Sequence, residues 1–263
     1  MVGNIKYVKE SPSHTWNEKL QVVDYRKNGK LHHDDGLVVV ESDGCKAYYK
    51  DGKLHNDYGP ALLRPGAQRY YQNDKLHRDD GPAVVKSDGY KAYYKDGKLH
   101  RDDGPALIYP DGYSVYYKDG KLHRDDGPAL THPNGTTEYY QHGNLHRDDG
   151  PAIVNSDDTI KYYQCGKLHR DDGPAIMHSN GTFEYYRHGK RHRDDGPAVV
   201  KLDITKYYKD GKLHRNDGPA IIRSDIIQYY QHGKLYRNDG SFAIIKGHYP
   251  TYRAILQYMG KFI

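Results

Sequence analysis

Tyr93-Tyr94-Lys95-Asp96-Gly97-Lys98-Leu99-His100-Arg101-Asp102-Asp103-Gly104-Pro105-Ala106 recurs, with small changes, along almost the whole chain. The aligned histidines are His32, His55, His77, His100, His123, His146, His169, His192 and His214, and Tyr236 takes the same place in the last full copy. Successive steps are 22 or 23 residues, which makes about ten copies in a chain of 263. A partial eleventh copy, 256–262, ends the sequence. Self-similarity at a fixed period of this size marks a repeat architecture.

Each copy reads as two short strands and two turns. Ala83-Val84-Val85-Lys86 is β-prone, and Ser87-Asp88-Gly89 is a tight turn in which Gly supplies a positive φ. Tyr90 to Lys95 reads as one second strand, Asp96-Gly97 as another turn, and Lys98 to Arg101 as extended chain. In Asp102-Asp103-Gly104-Pro105 the Asp is expected to cap its turn, the Gly to be left-handed and the Pro to fix φ. No segment has a helical period. Two copies lack the spacer glycine, at Leu202-Asp203-Ile204 and Ser224-Asp225-Ile226, and a tighter turn is expected there.

Two short strands cannot bury a core alone, so each copy must lean on the next. The expected fold is all-β: an elongated array of β-hairpins in an antiparallel meander or open solenoid, with terminal caps. The boundaries are an N-terminal cap at 1–19, which holds the only tryptophan, Trp16; the array at 20–246; and a C-terminal cap strand at 247–263. The caps answer the open sheet edges. A closed propeller does not fit, because a blade needs about 40 residues.

Leu, Ile, Val and Phe make up only about a fifth of the chain, but 28 tyrosines add apolar surface, and their fixed register argues for order. The net charge of +5 is small, and Arg alternates with Asp inside every copy, which argues against a general polyanion-binding face. Cys45 and Cys165 sit at different places in copies far apart, so no disulfide is expected. The N-terminus has no apolar core of signal-peptide length, and a cytoplasmic protein is expected.

Tyr94-Lys95-Asp96-Gly97-Lys98-Leu99-His100, closed by a turn such as Ser87-Asp88-Gly89, resembles the MORN repeat. The likeness covers about 20–246. Where a typical MORN repeat continues His-Gly-x-Gly, this chain has His-Arg-Asp-Asp-Gly-Pro-Ala, so it is similar to a divergent group found in large DNA viruses and phages. A related variant occurs in bacterial antitoxin-type proteins. The resemblance implies a single-layer hairpin array with roles in scaffolding, protein contacts or membrane attachment. Two carboxylates per copy argue against anionic lipid.

His-Arg-Asp at 100–102 and its equivalents match the kinase catalytic-loop triplet only by accident, since no phosphate loop or Asp-Phe-Gly accompanies it. Equivalent residues in adjacent copies lie about 9.6 Å apart, too far for a ladder to gather metal ligands on its own. No metal and no cofactor are expected. His and Asp are expected to bond backbone groups in their own turns. Arg78, Arg101, Arg124, Arg147, Arg170 and Arg193 form a stripe, expected to bridge to Asp of the same or the next copy. The paired tyrosines should point to opposite faces, and Tyr94, Tyr117, Tyr140, Tyr163 and Tyr186 are, with these arginines, the candidate binding residues.

Catalysis needs one enclosed constellation, and an array of equal copies supplies none. The expected function is a non-catalytic scaffold or protein-interaction module, with a structural role in a viral or other large assembly as one setting for it. Its partner would be a protein or a second copy of itself, with no small-molecule substrate. The alternatives are a surface binder of anionic lipid or nucleic acid, using the Tyr and Lys/Arg stripes, and an antitoxin-like inhibitor.

Overall fold

The structure, a computed structural model, describes residues 26–32, 39–40, 44–224 and 226–235. The expected caps lie outside the described residues. Every regular element among the described residues is a β-strand of two or three residues, so the fold is all-β as its composition of turns and tyrosines suggests.

Each copy holds four short strands rather than two. Val84–Lys86 pairs antiparallel with Lys91–Ala92, and Tyr94–Lys95 pairs with Lys98–Leu99. The run from Tyr90 to Lys95, read as one strand, is broken at Tyr93. The Tyr93 N–H donates to the Ala106 carbonyl of the next copy at 2.7 Å, whereas its own carbonyl accepts from the His100 N–H at 3.1 Å. One backbone group serves the strand ladder and the other serves the second hairpin, so Tyr93 is a corner between them.

The second hairpin closes on Asp96 (φ 50°) and Gly97 (φ 79°), both left-handed. This is a type I′ turn, whose twist matches that of paired strands. At the first turn position other copies carry His142, Cys165, His188 and His232, at φ 52°, 47°, 51° and 49°. Where Gly is missing from the second position, Asp74 takes it at φ 67°, and its Oδ1 accepts the Leu54 N–H of the preceding copy at 2.7 Å.

The late spacer turns are tighter, as expected. Val85 pairs with Lys91 across the ordinary turn, but Val200 pairs with Thr205 and Arg223 with Ile226.

The chain divides into two units, 1–144 and 145–263. In the first, the ladder strands run in sequence order from Val39–Val40 to Thr137–Glu138, each antiparallel to its neighbours. In the second they run from Ile153–Val154 to Ile226–Gln228 in the same way. Among the described residues no pairing joins the first ladder strand of a unit to that unit's last, so each ladder is an open meander.

The core of the first unit lies between one ladder face and the second hairpins. Val84, Ala92, Leu107 and Val115 are buried there under Leu76, Leu99, Leu122, Tyr94 and Tyr117. The alanine after each Gly-Pro has no exposed surface, at Ala83, Ala106 and Ala175 among others. That leaves no space for a larger side chain.

Gly104 is not left-handed, contrary to expectation. Its role is steric. A Cβ on Gly104 would lie 3.0 Å from Arg101 Cζ, which itself sits 4.1 Å above the Tyr93 ring. The glycine therefore leaves room for a guanidinium held flat between ring and backbone. On Gly127 the clash with Arg124 would be at 2.9 Å. Gly127→Ala should lower stability by about 1–2 kcal/mol in urea unfolding, as overpacking does. The loss should shrink in an Arg124→Ala background, a coupling that a double-mutant cycle reads directly.

Candidate functional site

The residues that the sequence singles out for chemistry all meet where one copy joins the next. The hairpin turns carry backbone N–H groups that face the preceding copy. The Gly97 N–H donates to the Leu76 carbonyl at 2.8 Å, and the Arg78 N–H donates forward to the Tyr94 carbonyl at 3.2 Å. Between these two bonds the Asp96 N–H has no carbonyl opposite it. It donates to His77 Nδ1 at 3.1 Å.

The same bond recurs at every aligned histidine. His32, His55, His100 and His123 accept from Asp51, Asn73, Asp119 and His142 at 3.1–3.2 Å. His146, His169, His192 and His214 accept from Cys165, His188, Asp210 and His232 at 3.1–3.2 Å. A backbone N–H can only donate, so where no carboxylate lies beside it Nδ1 keeps its lone pair, and the tautomer carries its proton on Nε2. That second nitrogen lies near the Asp two residues on, at 3.2 Å for Asp79, 3.1 Å for Asp125 and 3.0 Å for Asp194. In the His100 copy the two atoms are 3.2 Å apart without hydrogen-bond geometry. The expectation that His bonds its own turn is thus half right: the Asp is its own, but the turn belongs to the next copy.

Two kinds of junction recur, beside single ones at Asn73 and Cys165. Where the turn residue is Asp, a carboxylate also lies beside Nδ1, at 3.0 Å for Asp119 and for Asp210. Where it is His, two rings lie against each other, with centroids 4.8 Å apart for His123/His142, 4.6 Å for His169/His188 and 4.5 Å for His214/His232.

The arginine stripe is held inside its own copies. Arg78 Nε donates to Asp80 Oδ1 at 2.7 Å and Nη1 to the Pro82 carbonyl at 3.5 Å, with Cζ 4.0 Å above Tyr70. Arg101, Arg124, Arg147, Arg170 and Arg193 make the same Nε bond to the Asp two residues on, at 2.8–2.9 Å. The carboxyls of Asp80, Asp103, Asp126, Asp149, Asp172 and Asp195 are held below their ordinary range by these arginines.

The tyrosine stripe is half-buried. Tyr94 and Tyr117 pack on the ladder core, and burial, then neighbouring tyrosines, pushes their hydroxyls upward. Tyr140 donates to Glu138 Oε2 and Tyr186 to Glu184 Oε2, each at 3.0 Å. Tyr163 is likewise half-buried. The first tyrosine of six pairs, at Tyr70, Tyr93, Tyr116, Tyr162, Tyr185 and Tyr207, lies under an arginine instead. The pairs therefore divide their tasks between core packing and guanidinium stacking.

One cluster breaks the repeat. Glu184, like Glu138 two copies before it, stands at a ladder position that Ala92 and Val115 fill elsewhere, and Glu184 is buried. Arg191, in the place of the usual leucine, donates to Glu184 Oε2 from Nε at 3.1 Å and from Nη2 at 2.9 Å. Burial acts to raise the Glu184 carboxyl, but Arg191 and Tyr186 outweigh it and hold the group ionised. Among the described residues no group of three His, Cys, Asp or Glu side chains could hold a metal ion, and Cys45 and Cys165 are free thiols. No protein family and no curated protein matches this chain. The architecture itself, a repeat of small antiparallel β-hairpins, is what identifies it.

Two predictions come from the junction. His169→Leu removes the acceptor for the His188 N–H, and an unsatisfied, part-buried donor should cost about 1–3 kcal/mol in urea unfolding. The second concerns acid. Burial, then the charges of His232 and Lys209, lowers the His214 ring below its ordinary 6.5 against the opposing bond to Asn216. The stabilisation is complete above that value and is lost as pH falls through the lower value of the fold. Urea midpoints should therefore drop between about pH 7 and pH 5. His232→Asp, which turns this junction into the carboxylate kind, should flatten the drop.

Proposed function

We propose that this chain is a non-catalytic repeat scaffold of the MORN-like kind, offering a periodic surface to a protein partner that is itself extended or repeated. The supporting observation is how the polar side chains are used. In each described copy the histidine is taken by the next copy's turn, and an arginine such as Arg78 by its own Tyr, Asp and Pro carbonyl. Groups tied to the framework in this way are poorly placed to bind substrate. What each copy leaves to solvent is a hairpin tip such as Lys95-Asp96-Gly97-Lys98 and an Asp pair such as Asp102-Asp103. These recur at about 9.6 Å, twice the strand spacing. Weak contacts repeated at that interval add through effective concentration. Neither a cofactor nor a small-molecule substrate enters this reading. The expected setting is the cytoplasm or, for a viral protein, a layer of the particle.

A second reading has one observation behind it. The lysine stems lie across the turn glycine of the next copy, with Lys75 Cβ 3.7 Å from where a Cβ on Gly97 would stand. This arranges Lys75, Lys98 and Lys121 in file, a pattern a polyanion could use. The exposed Asp pairs oppose it. Salt separates the two. Capture of a partner from the native host should change less than about threefold between 50 and 200 mM salt, whereas phosphate-backbone binding would fall by roughly 10³–10⁵. A steep loss would replace the scaffold reading with the polyanion one.

A further inference from the structure

The ladder has two faces, and the two units treat the face turned away from the second hairpins differently. In the first unit Lys46 stands beside Leu63, Leu63 beside Gln68, and Gln68 beside Val85. Val85 is followed by Lys91, Ile108, Ser114, Thr131 and Thr137. Lys46, Gln68, Lys91 and Thr131 are exposed, so water reaches this face at these positions. Apart from Leu63, Val85 and Ile108 this face carries polar side chains, as a half-solvated antiparallel ladder should.

In the second unit the same backbone positions read otherwise. Val154, Ile160, Met177 and Phe183 stand side by side across successive strands. Val200, Thr205, Ile222 and Ile227 continue the row. All are half-buried, none is charged, and only Thr205 is polar. The opposite, hairpin-side row of this unit alternates Ile153, Ile176, Val199 and Ile221 with Lys161, Glu184, Lys206 and Gln228. Apolar residues thus hold every second place on the packed side, with Ile176 and Val199 buried, and nearly every place on the outer side. The first unit serves as the internal control: on the same fold its row mixes Leu63, Val85 and Ile108 with six polar residues, whereas the second unit has one polar residue in eight.

We infer that this outer apolar stripe of the second unit is a docking surface for a second copy of the same chain, stripe against stripe. Three features favour that occupant. The row lacks charge, so acidic peptides, nucleic acid and anionic headgroups gain nothing from it. It runs for seven strand intervals, about 34 Å at the usual spacing, and a partner must be apolar over the same length. A second copy presents that length, and two such rows related by a two-fold axis are self-complementary. Two sheets stacked in this way lie about 10 Å apart with interdigitated side chains. A stripe one side chain wide covers only about 350 Å² per chain, well short of the roughly 800 Å² of a standard interface. The dimer is therefore concentration-dependent. This names a partner for the scaffold and rests on that reading.

The test is sedimentation velocity on the full chain over a wide concentration range. The expected result is a mass rising from one chain to two. Phe183→Lys and Ile160→Lys should move the midpoint at least tenfold upward, while Ile108→Lys, at the matching place in the first unit, should leave it unchanged. In the unmodified chain, hydrogen exchange over 153–161 and 176–184 should slow as concentration rises, with 84–92 unaffected; this arm holds even if a lysine variant fails to fold. A single-chain mass at every concentration would overturn the inference. So would a dimer indifferent to both lysine variants, or protection of 153–161 and 176–184 that does not depend on concentration, which would mean that the chain covers the stripe itself. Either result leaves the scaffold reading to its own salt and capture test.

Discussion

The N–H of the second-hairpin turn is the group on which the array depends. A strand of two residues makes too few ladder bonds to hold itself, and a turn closed in the left-handed region aims its N–H groups outward. One of them, at Asp96 and its equivalents, meets a side chain instead of a carbonyl. Histidine suits the place because its ring presents an acceptor and a donor on opposite edges. The acceptor reaches into the next copy, and the donor faces the copy's own Asp. The arginine completes the same copy from the other side, flat between Tyr93 and the bare Cα of Gly104. Both residues look like catalytic or binding equipment and work here as joinery.

Much of this was legible in the sequence. The period, the left-handed Gly89, the turn at Asp96-Gly97, the tighter turn near Asp203, and the pairing of each arginine with an Asp all follow from spacing and turn chemistry. Tyr93 escaped because nothing in a β-prone run marks the residue whose N–H and carbonyl go to different partners. Gly104 was assigned the wrong physical reason. Left-handed turns are the commoner use of glycine, and contact with a guanidinium three residues back shows only in three dimensions. The histidine's partner escaped for a similar cause: periodicity gives the distance between copies and does not say which donor ends opposite a ring. For Glu184 there was a signal, since Arg191 stands where every other full copy has leucine.

Polarity also varies along the array in a way that a consensus copy conceals. Averaged over all copies, the ladder strands read as generic alternation. Taken unit by unit, the outer row changes from Lys46, Gln68 and Lys91 to Ile160 and Phe183. In a repeat protein the departures from the repeat carry more information about specific contacts than the repeat itself does.

The junction has one more consequence, for how such a chain can change its length. Each interface is built from the same few atoms, a ring nitrogen meeting a turn amide 18 or 19 residues later. Excising one whole copy deletes one junction and leaves its flanking neighbours with matching halves. Duplicating a copy adds one on identical terms. Growth and shortening by unequal exchange between near-identical stretches would thus conserve every contact except the count, whereas gain or loss of a few residues would break the phase.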